Sequence, residues 1–470
     1  YQKIEFQQIL IKKDASSLLD KDMLIMGLVY VNNEYHQPMM NFLPKVLRVL
    51  QSPERRKLLS KVISYYRSFG LPYQYISPKK VLIIASGVGN EAAKAIENGA
   101  EEIVAVEIDP EIIEIGKKYH PQNPYRHKNV TVYNDDARAY LQRSTKKYDL
   151  IVMNQLDSHS QYASTANLRL DSYLYTIESF QQIRDHLKEN GIFTMIFSGY
   201  HWSIAWSRER LIAMIEAVFG PNSWEASRVL GGQFLKILPQ KVTSGNILSS
   251  VILATDDWPQ FYMKERKIPL VYWRLAVLIL LLSLVIASIS VPKLITQLQY
   301  HFFFLGAGFM MLEVKNISQA SLLFGNTWVV NSIVLSAILT AILCANFYVI
   351  KIKSNHMLLH YLLLFISIAV TYLIPYEILL KLQFEGKLLA SLLIIGLPIF
   401  FAGIIFAHSF KSTGNVSISL GSNLIGCMAG GMGEYAALVL GIKNLSFIVI
   451  LFYVLSALPI LKYKINKAVS

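Results

Sequence analysis

The sequence predicts an α/β Rossmann-like, doubly wound domain with an N-terminal β-hairpin lid, joined to a C-terminal all-α polytopic membrane domain. The mean hydropathy of the 470 residues is +0.37 and only 16% of them are charged, which is unusual for a water-soluble protein. Charge density is ordinary over residues 1–265, whereas beyond Ile268 apolar runs of about 20 residues follow one another. Part of the chain is therefore expected to lie in lipid.

The first segment, residues 1–78, is predicted to form a lid and a helical lead-in. Apolar and polar residues alternate in IEFQQILIKK and in MLIMGLVYVNN, and the polar stretch DASSLLDKD lies between them. Alternation of this kind is typical of strands, so the two segments predict a β-hairpin. A helical stretch is expected over residues 45–68.

Residues 79–265 show the spacing of repeated βα units. The predicted strands are 81–86, 103–108, 130–135, 148–154 and 192–198, and the predicted helices between them are 90–98, 111–119, 137–143 and 176–189. The last of these helices is expected to end at Asn190-Gly191, because glycine readily adopts a left-handed cap. Strands separated by helices predict a parallel sheet with its ligand at the carboxyl ends of the strands.

Residues 266–470 are predicted to be a transmembrane helical domain of six or seven segments. The apolar segments are 268–291, 300–324, 327–350, 357–380, 387–408, 415–440 and 444–462. Positive charge is preferred on the cytoplasmic side of a membrane, and this favours six full spans, with 300–324 as the segment that does not cross. Intramembrane charges such as Glu313, Lys315 and Glu434 either pair with one another or line a polar cavity.

The composition excludes some classes of function. The net charge is +13, but lysines and arginines are scattered and flank the apolar runs, so no nucleic-acid partner is expected. The two cysteines, Cys344 and Cys427, lie inside apolar runs, and there is no CxxC pair. We therefore predict neither a disulfide framework nor a metal site.

The turn after the first predicted βα strand carries Gly87 and Gly89, which would let a ligand approach the backbone at a helix N-terminus. Glu107 ends the next strand, where a carboxylate can accept hydrogen bonds from both ribose hydroxyls of an adenosine. Asp136 follows the third strand and can accept from an adenine amino group. NAD is the competing ligand, but the turn lacks full GxGxxG spacing, and the third carboxylate favours an adenosyl-sulfonium nucleotide.

The stretches VLIIASGVGNEAAKAIENGAEEIVAVEIDPEIIEIGKKYHP, NDDARAYL and YDLIVMNQLDSH resemble the spermidine synthase family, and within it the membrane-fused spermidine synthase-like proteins of bacteria. The resemblance implies the S-adenosylmethionine-dependent methyltransferase/spermidine synthase type of fold. It further implies that Glu107 holds the ribose, that Asp136 holds the adenine, and that Gln37 of NNEYHQPM reaches the nucleotide from the lid. The implied co-substrate is S-adenosylmethionine or decarboxylated S-adenosylmethionine.

Two positions depart from the family pattern. Soluble aminopropyltransferases have a GGGDGG turn whose Asp binds the donor amine, whereas this chain has Val88. They have a DSSD-like motif whose first Asp deprotonates the attacking amine, whereas this chain has Asn154 there and keeps only the second acid, Asp157. A neutral amide is not a general base, so plain spermidine synthesis from putrescine is not expected.

Catalytic candidates are Asn154, Asp157 and His159, because they lie at and after the end of the fourth predicted βα strand. His159 has a side chain suited to accepting a proton near neutral pH, and Asp157 can orient it or bind a cationic acceptor. The alternative is an Asp that caps the loop beside a solvent-exposed His. Tyr173 and Tyr175 either line an acceptor pocket or pack in the core.

These observations predict a membrane-anchored transferase that moves a methyl or aminopropyl group to an amphiphilic or amine acceptor at the cytoplasmic face. The resemblance places it in the bacterial inner (cytoplasmic) membrane as a multi-pass protein, with the soluble domain in the cytoplasm. The expected partners are the lipid bilayer and a small-molecule acceptor, and self-association into a homo-oligomer is left open. The alternatives are a catalytically silent membrane assembly protein and a nucleotide-sensing transporter.

Overall fold

A computed structural model describes residues 4–11, 23–31, 34–44, 46, 60–154, 172–229, 232–240, 251–291, 293–325, 328–352, 356–380, 382 and 384–469. The chain divides into two compact units, Tyr1–Lys264 and Glu265–Ser470. Most of the helical stretch expected over residues 45–68 lies outside the described residues, and its last part is in a helix, α1 (Ser60–Gly70).

The N-terminal residues form a three-stranded antiparallel sheet, which we call the lid. It consists of β1 (Ile4–Ile11), β2 (Met23–Val31) and β3 (Glu34–Met40), in the order β1-β2-β3. The predicted hairpin is therefore present, and β3 adds a strand to it in which Gln37 pairs with Val29 of β2. The alternation of β2 and β3 turns Val29 and Met39 toward Val88 and Ile112, so the lid packs onto the rest of the first unit through apolar contacts.

The first unit is built around a seven-stranded sheet. Its strands are β4 (Lys80–Ile84), β5 (Glu102–Glu107), β6 (Val130–Asn134), β7 (Tyr148–Asn154), β8 (Leu187–Ser198), β9 (Trp224–Val229) and β10 (Gly232–Ile237). They lie in the order β6-β5-β4-β7-β8-β10-β9. Pairing is parallel from β6 to β8, and the β9–β10 hairpin pairs antiparallel with β8.

Short helices join these strands, and they match the predicted βα units. They are α2 (Asn90–Glu97), α3 (Pro110–Tyr119), α4 (Ala137–Arg143), α5 (Ile177–Asp185), α6 (Gly199–Ser203) and α7 (Ala205–Phe219). Apolar residues on both faces of the sheet form two cores, as a parallel sheet covered on both sides requires. The strand order switches between β4 and β7, because β5 and β6 lie on one side of this pair and β8 lies on the other. The Rossmann-like, doubly wound prediction is therefore confirmed.

The predicted end of the helix before β8 is wrong. Helix α5 ends at Asp185 rather than at Asn190-Gly191, and β8 already begins at Leu187. His186 stops the helix because its ring nitrogens bond the carbonyl oxygens of Gln182 at 2.7 Å and Ser144 at 2.8 Å. Gly191 is needed for another reason, since a Cβ there would lie 2.9 Å from the carbonyl oxygen of Tyr148 on the neighbouring strand.

The end of the first unit is held by two buried arginines. Arg210 of α7 donates from Nη1 to the carbonyl oxygen of Phe261 at 2.6 Å and from Nε to that of Ile252 at 2.7 Å. Arg138 of α4 forms an ion pair with Asp256, with Nη2 and Oδ2 2.6 Å apart. Residues 252–264 are therefore an integral part of the first unit, although they form no regular strand or helix.

In the second unit a helix coincides with each of the seven predicted apolar segments. These helices are α8 (Leu270–Ser290), α9 (Tyr300–Phe324), α10 (Trp328–Lys351), α11 (Met357–Leu373) with α12 (Tyr376–Leu380), α13 (Phe384–Lys411), α14 (Val416–Met432) with α15 (Ala437–Leu440), and α16 (Leu445–Val469). Among the residues that the structure describes, four stretches are long and apolar enough to cross a membrane, namely Leu270–Ser290, Val334–Lys351, Glu385–Lys411 and Val416–Leu440.

Helix α9 is continuous, and most of its residues are buried within the second unit. Small residues explain how it lies so close to α14: a Cβ on Gly306 would contact the backbone of Asn423, and one on Gly430 would contact the backbone of Ala307. Lys315 is fully buried, and its Nζ has no hydrogen-bond partner in the described part of the chain, so the ion-pair alternative is not seen for it.

Candidate functional site

The glycine-rich turn lies between β4 and α2, at the carboxyl edge of the sheet. Gly87 has φ of +57° and Gly89 has φ of +100°, conformations that favour glycine. A side chain on Gly89 would also collide with Pro124, because its Cβ would lie 2.7 Å from Cγ of that residue. Both glycines are thus needed for the shape of the turn, which leaves the amides at the start of α2 near the sheet edge.

Tyr125 stabilises this turn through hydrogen bonds. Its buried hydroxyl donates to the carbonyl oxygen of Gly87 and lies 2.8 Å from Oγ of Ser86. Burial raises the pKa of the Tyr125 phenol, so the hydroxyl keeps its proton and remains a donor. Tyr125 was not identified from the sequence, because it lies in a short 3-10 helix (Pro124–Arg126) that is 38 residues away from Gly87 along the chain.

Glu107, at the end of β5, is buried beside the turn. Its Oε2 accepts a hydrogen bond from the backbone nitrogen of Gly87 at 2.8 Å, and its Oε1 accepts one from the backbone nitrogen of Asp109 at 3.1 Å. Burial is the main influence on this carboxyl and raises its pKa, while the two backbone donors oppose that rise. Each carboxylate oxygen has two lone pairs, so Glu107 can still accept from a pair of hydroxyls.

The lid reaches the turn through Gln37 and Asn90. The backbone nitrogen of Val88 donates to Oε1 of Gln37 at 3.3 Å. Asn90 binds β3 twice, accepting from the backbone nitrogen of Met40 at 2.8 Å and donating to the carbonyl oxygen of Pro38 at 2.6 Å. The structure thus brings Gln37 together with Gly87 and Glu107, and Asn90 is a residue that the sequence analysis missed.

Asp136 lies at the carboxyl end of the next strand, where it caps α4. Its Oδ1 accepts from the backbone nitrogens of Arg138 at 2.8 Å and Ala139 at 3.1 Å. The preceding residue, Asp135, forms an ion pair with Arg143. Because β4, β5 and β6 are neighbours in the sheet, the turn, Glu107 and Asp136 lie in succession along one edge.

Val88, which stands at the position of the family's amine-binding Asp, is part of the apolar contact between lid and turn. Its side chain is fully buried and packs with Val29, Met39 and Ile112. The side chain at this position therefore offers a ligand no polar group.

Asn154 ends β7, the neighbour of β4 on the other side of the turn. Its amide nitrogen donates to Oε1 of Glu91, a buried residue in the first turn of α2. Burial raises the pKa of Glu91 to about 8, while the hydrogen bond from Asn154 and the charge of Lys94 oppose this rise. A carboxyl group thus lies beside the amide that replaces the family's base, although it comes from a different element.

The two remaining catalytic candidates, Asp157 and His159, lie outside the described residues. Tyr173 and Tyr175 are described, and both are buried. Tyr175 packs against the rings of Phe197 and Phe261 at centroid distances of 5.9 Å and 5.1 Å. The structure gives Tyr175 the packing role.

Comparison with known proteins finds similar sequences for part of the first unit. The model of the spermine/spermidine synthase domain matches residues 69–206. Polyamine aminopropyltransferase 1 of Aquifex aeolicus is 27% identical over 173 residues, which are 34% of this chain and 59% of that protein. The polyamine aminopropyltransferase of Korarchaeum cryptofilum is 27% identical over 128 residues, which are 27% of this chain and 37% of that protein.

The chain thus spans between about a third and three fifths of the length of these curated relatives. Among solved structures, the spermidine synthase of Thermotoga maritima is 15% identical, with a TM-score of 0.33 over 53% of this chain and 81% of that chain. The predicted type of fold, that of S-adenosylmethionine-dependent methyltransferases and spermidine synthases, is confirmed for the first unit.

Proposed function

Since residues 69–206 form a spermidine synthase-like domain, we propose that this chain is a membrane-anchored transferase that takes a methyl or aminopropyl group from an adenosyl-sulfonium donor. The donor is S-adenosylmethionine or its decarboxylated form. The acceptor is an amphiphile or an amine.

The observation that carries this proposal is the position of Glu107. Its carboxylate is fixed by the backbone nitrogens of Gly87 and Asp109 at the end of β5, so it needs no rearrangement to meet a ligand. A buried acid with lone pairs left over suits the two adjacent hydroxyls of a ribose. The left-handed Gly87, which has no side chain, lets a nucleotide approach the same place.

Two further residues extend the donor site. Gln37 lies against the turn from the lid, and the NH2 group of its side chain is a donor suited to a nucleotide. Asp136 lies next along the sheet edge, as an adenine base beyond the ribose would require. Asp157 and His159 remain proposed contacts of the acceptor.

Two residues argue against ordinary spermidine synthesis, one at the position that binds the donor amine and one at the position of the base. The buried Val88 gives the amine of a decarboxylated donor no counter-charge, and Asn154 is a neutral amide. A charge-assisted hydrogen bond is worth about 1.5–3 kcal/mol, so the site lacks a contribution of that size to binding of the donor amine at this position.

The apolar helices support a reaction at a membrane surface. Four stretches of the second unit have the length and hydropathy of membrane spans. We propose the bacterial cytoplasmic membrane, with the first unit in the cytoplasm, where nucleotide donors are made. An acceptor with an apolar tail would be concentrated at that surface by partition into lipid.

The test uses the full chain in lipid nanodiscs. Binding of S-adenosylmethionine and of decarboxylated S-adenosylmethionine is measured by calorimetry, and transfer from each labelled donor is followed with putrescine and with extracted membrane lipids as acceptors. We expect a donor to bind and label to enter an amine-bearing acceptor. Failure of both donors to bind would overturn the proposal, and rapid spermidine formation from putrescine would restore plain spermidine synthase.

A further inference from the structure

The hydrogen bond between Glu91 and Asn154 joins two residues that the family resemblance does not pair. Asn154 is the last residue of β7, and Glu91 lies in the first turn of α2, directly after the glycine-rich turn. The amide nitrogen of Asn154 donates to Oε1 of Glu91. Both side chains are therefore at the carboxyl edge of the sheet, on the side of the turn away from Glu107 and Asp136.

This pair leaves two buried acceptors without a donor. Oε2 of Glu91 and Oδ1 of Asn154 have no hydrogen-bond partner among the described residues, and neither does the nearby phenol of Tyr73. A buried polar atom left in this state costs about 1–3 kcal/mol, so such a pair is a place where a ligand with several donors is stabilised. An ammonium group has three donors and no acceptor, and its positive charge complements the negative charge of an ionised Glu91.

The electrostatic surroundings fit a group that changes its protonation state. Burial is the largest influence on Glu91 and raises its pKa to about 8; the Asn154 amide and the charge of Lys94, one helical turn away, act in the opposite direction. Lys94 is itself engaged, since its Nζ lies 2.7 Å from Oε2 of Glu97. Tyr73 is the other titratable group that the charge of Glu91 affects, and burial keeps its phenol protonated by raising its pKa.

We propose that Glu91 and Asn154 form the binding site for the protonated amine of the acceptor, and that Glu91 accepts the proton that this amine must lose. This inference rests on the proposed function and names its acceptor class: a primary amine. Glu91 thereby replaces, from a different element, the carboxylate that the family has at position 154.

The reaction balances with the groups named. The carboxylate of Glu91 takes one proton from the acceptor ammonium, and the freed nitrogen lone pair attacks the carbon bonded to the sulfonium of the donor. The carbon–sulfur bond breaks, and its electron pair stays on sulfur, which becomes a neutral thioether. A nitrogen–carbon bond forms, and the product is a secondary ammonium ion. An acid whose pKa lies near the working pH is suited to this transfer.

The experiment compares four full-length proteins in nanodiscs: wild type, Glu91→Gln, the swap variant Glu91→Gln with Asn154→Asp, and Glu111→Gln. Glu111 is an exposed acid in the first turn of α3 and serves as the matched control. Putrescine and dodecylamine are the amine probes. We expect Glu91→Gln to lower the transfer rate about 100- to 10,000-fold while the dissociation constant of the donor stays within about twofold of wild type.

The swap variant exchanges the acid and the amide across one hydrogen bond, so it should recover most of the lost rate. The wild-type rate should rise with pH through about 8, as Glu91 ionises, and this inflection should be absent in Glu91→Gln. A merely structural role would lower the rate without removing the inflection and without recovery in the swap. Equal rates and equal pH profiles in wild type and Glu91→Gln would overturn the inference.

Amine binding without donor separates this inference from the proposed function. Calorimetry with putrescine or dodecylamine alone should show binding to wild type and to Glu111→Gln, and binding weakened at least tenfold in Glu91→Gln. If the amine binds in this Glu91-dependent way but neither sulfonium donor binds, the amine site stands, whereas the transferase proposal and the proton transfer to Glu91 fail. If a donor binds and transfer occurs but amine binding does not depend on Glu91, the inference fails alone.

Discussion

Oε1 of Gln37 accepts a hydrogen bond from the backbone nitrogen of Val88 at 3.3 Å, which joins the lid directly to the glycine-rich turn. The same amide lies over Gly87, where a Cβ would overlap it. The third strand of the lid can therefore lie this close to the turn only because position 87 is a glycine, which has no side chain beneath Gln37.

Substitution of Gly87 tests this relationship. Gly87→Ala should destabilise the turn by about 1–2 kcal/mol through its left-handed backbone, and further by displacing the Gln37 amide. The effect of displacing the Gln37 amide should disappear when Gln37 is replaced by alanine. The destabilisation by Gly87→Ala and that by Gln37→Ala should therefore sum to more than that of the double variant. Hydrogen exchange of β4 and β3 peptides measures the effect in each single and double variant. Strict additivity would show that Gln37 does not restrict position 87.

Substitution of Glu107 tests the donor site. Glu107→Ala removes a carboxylate that accepts from two backbone nitrogens and, by our proposal, from the ribose. The affinity for either sulfonium donor should fall by at least tenfold, which corresponds to about 1.5–3 kcal/mol. Calorimetry on the full chain reports this loss. An unchanged dissociation constant would remove Glu107 from the site, and the exposed Glu111→Gln variant should bind as wild type does.

The stability of the first unit should depend on pH through Glu91. The pKa of this acid is about 8 in the folded protein and near 4.5 when it is exposed, so the folded state holds one more proton between those values. Stability therefore falls as pH rises from about 5 to 8, by an amount on the order of a few kcal/mol. Glu91→Gln removes this slope. Hydrogen exchange of β4 and β7 peptides at several pH values measures it, and equal slopes in both proteins would contradict the burial argument.

Arg210 should be among the residues that contribute most to the stability of the first unit. Its guanidinium donates to the carbonyl oxygens of Ile252, Phe261 and Met263, and a methionine would leave these buried acceptors unpaired. We expect Arg210→Met to lower the free energy of unfolding of the first unit by at least about 3 kcal/mol. Arg210→Lys should recover little, because an ammonium lacks the planar fork of donors. Protease cleavage within residues 252–264 should increase in both variants, whereas Glu209→Gln, at an exposed neighbouring position, should resemble wild type.

Elements with local signals were predicted well. Helix α4 begins after the capping Asp136 and ends at Arg143, as predicted, because both boundaries depend on neighbouring residues. Strand β7 is a run of apolar residues between turn residues, and its predicted bounds match the structure. The end of α5 was predicted wrongly because His186 is held by Ser144, 42 residues earlier, and no local pattern reports such a contact.

The same distinction applies to the candidate site. Glu107 and Asp136 were identified because acids at the ends of successive parallel strands must lie along one edge. Glu91 was missed because it lies inside a helix, 63 residues from Asn154, and only the sheet order brings β7 beside the turn. Tyr125 and Asn90 were missed for the same reason, since both act through hydrogen bonds to distant backbone.

The β9–β10 hairpin has a consequence for how this protein can be cut. A fragment that ended at Trp206, the last residue matched to the synthase family, would lack β10 and expose the backbone amides and carbonyls of β8 from Phe193 to Ser198. Strand β8 is almost entirely apolar from Ile192 to Phe197, and an uncovered apolar edge recruits other chains into cross-strand pairing. Such a fragment should aggregate, whereas one that extends through Lys264 keeps its edge strand covered by β10.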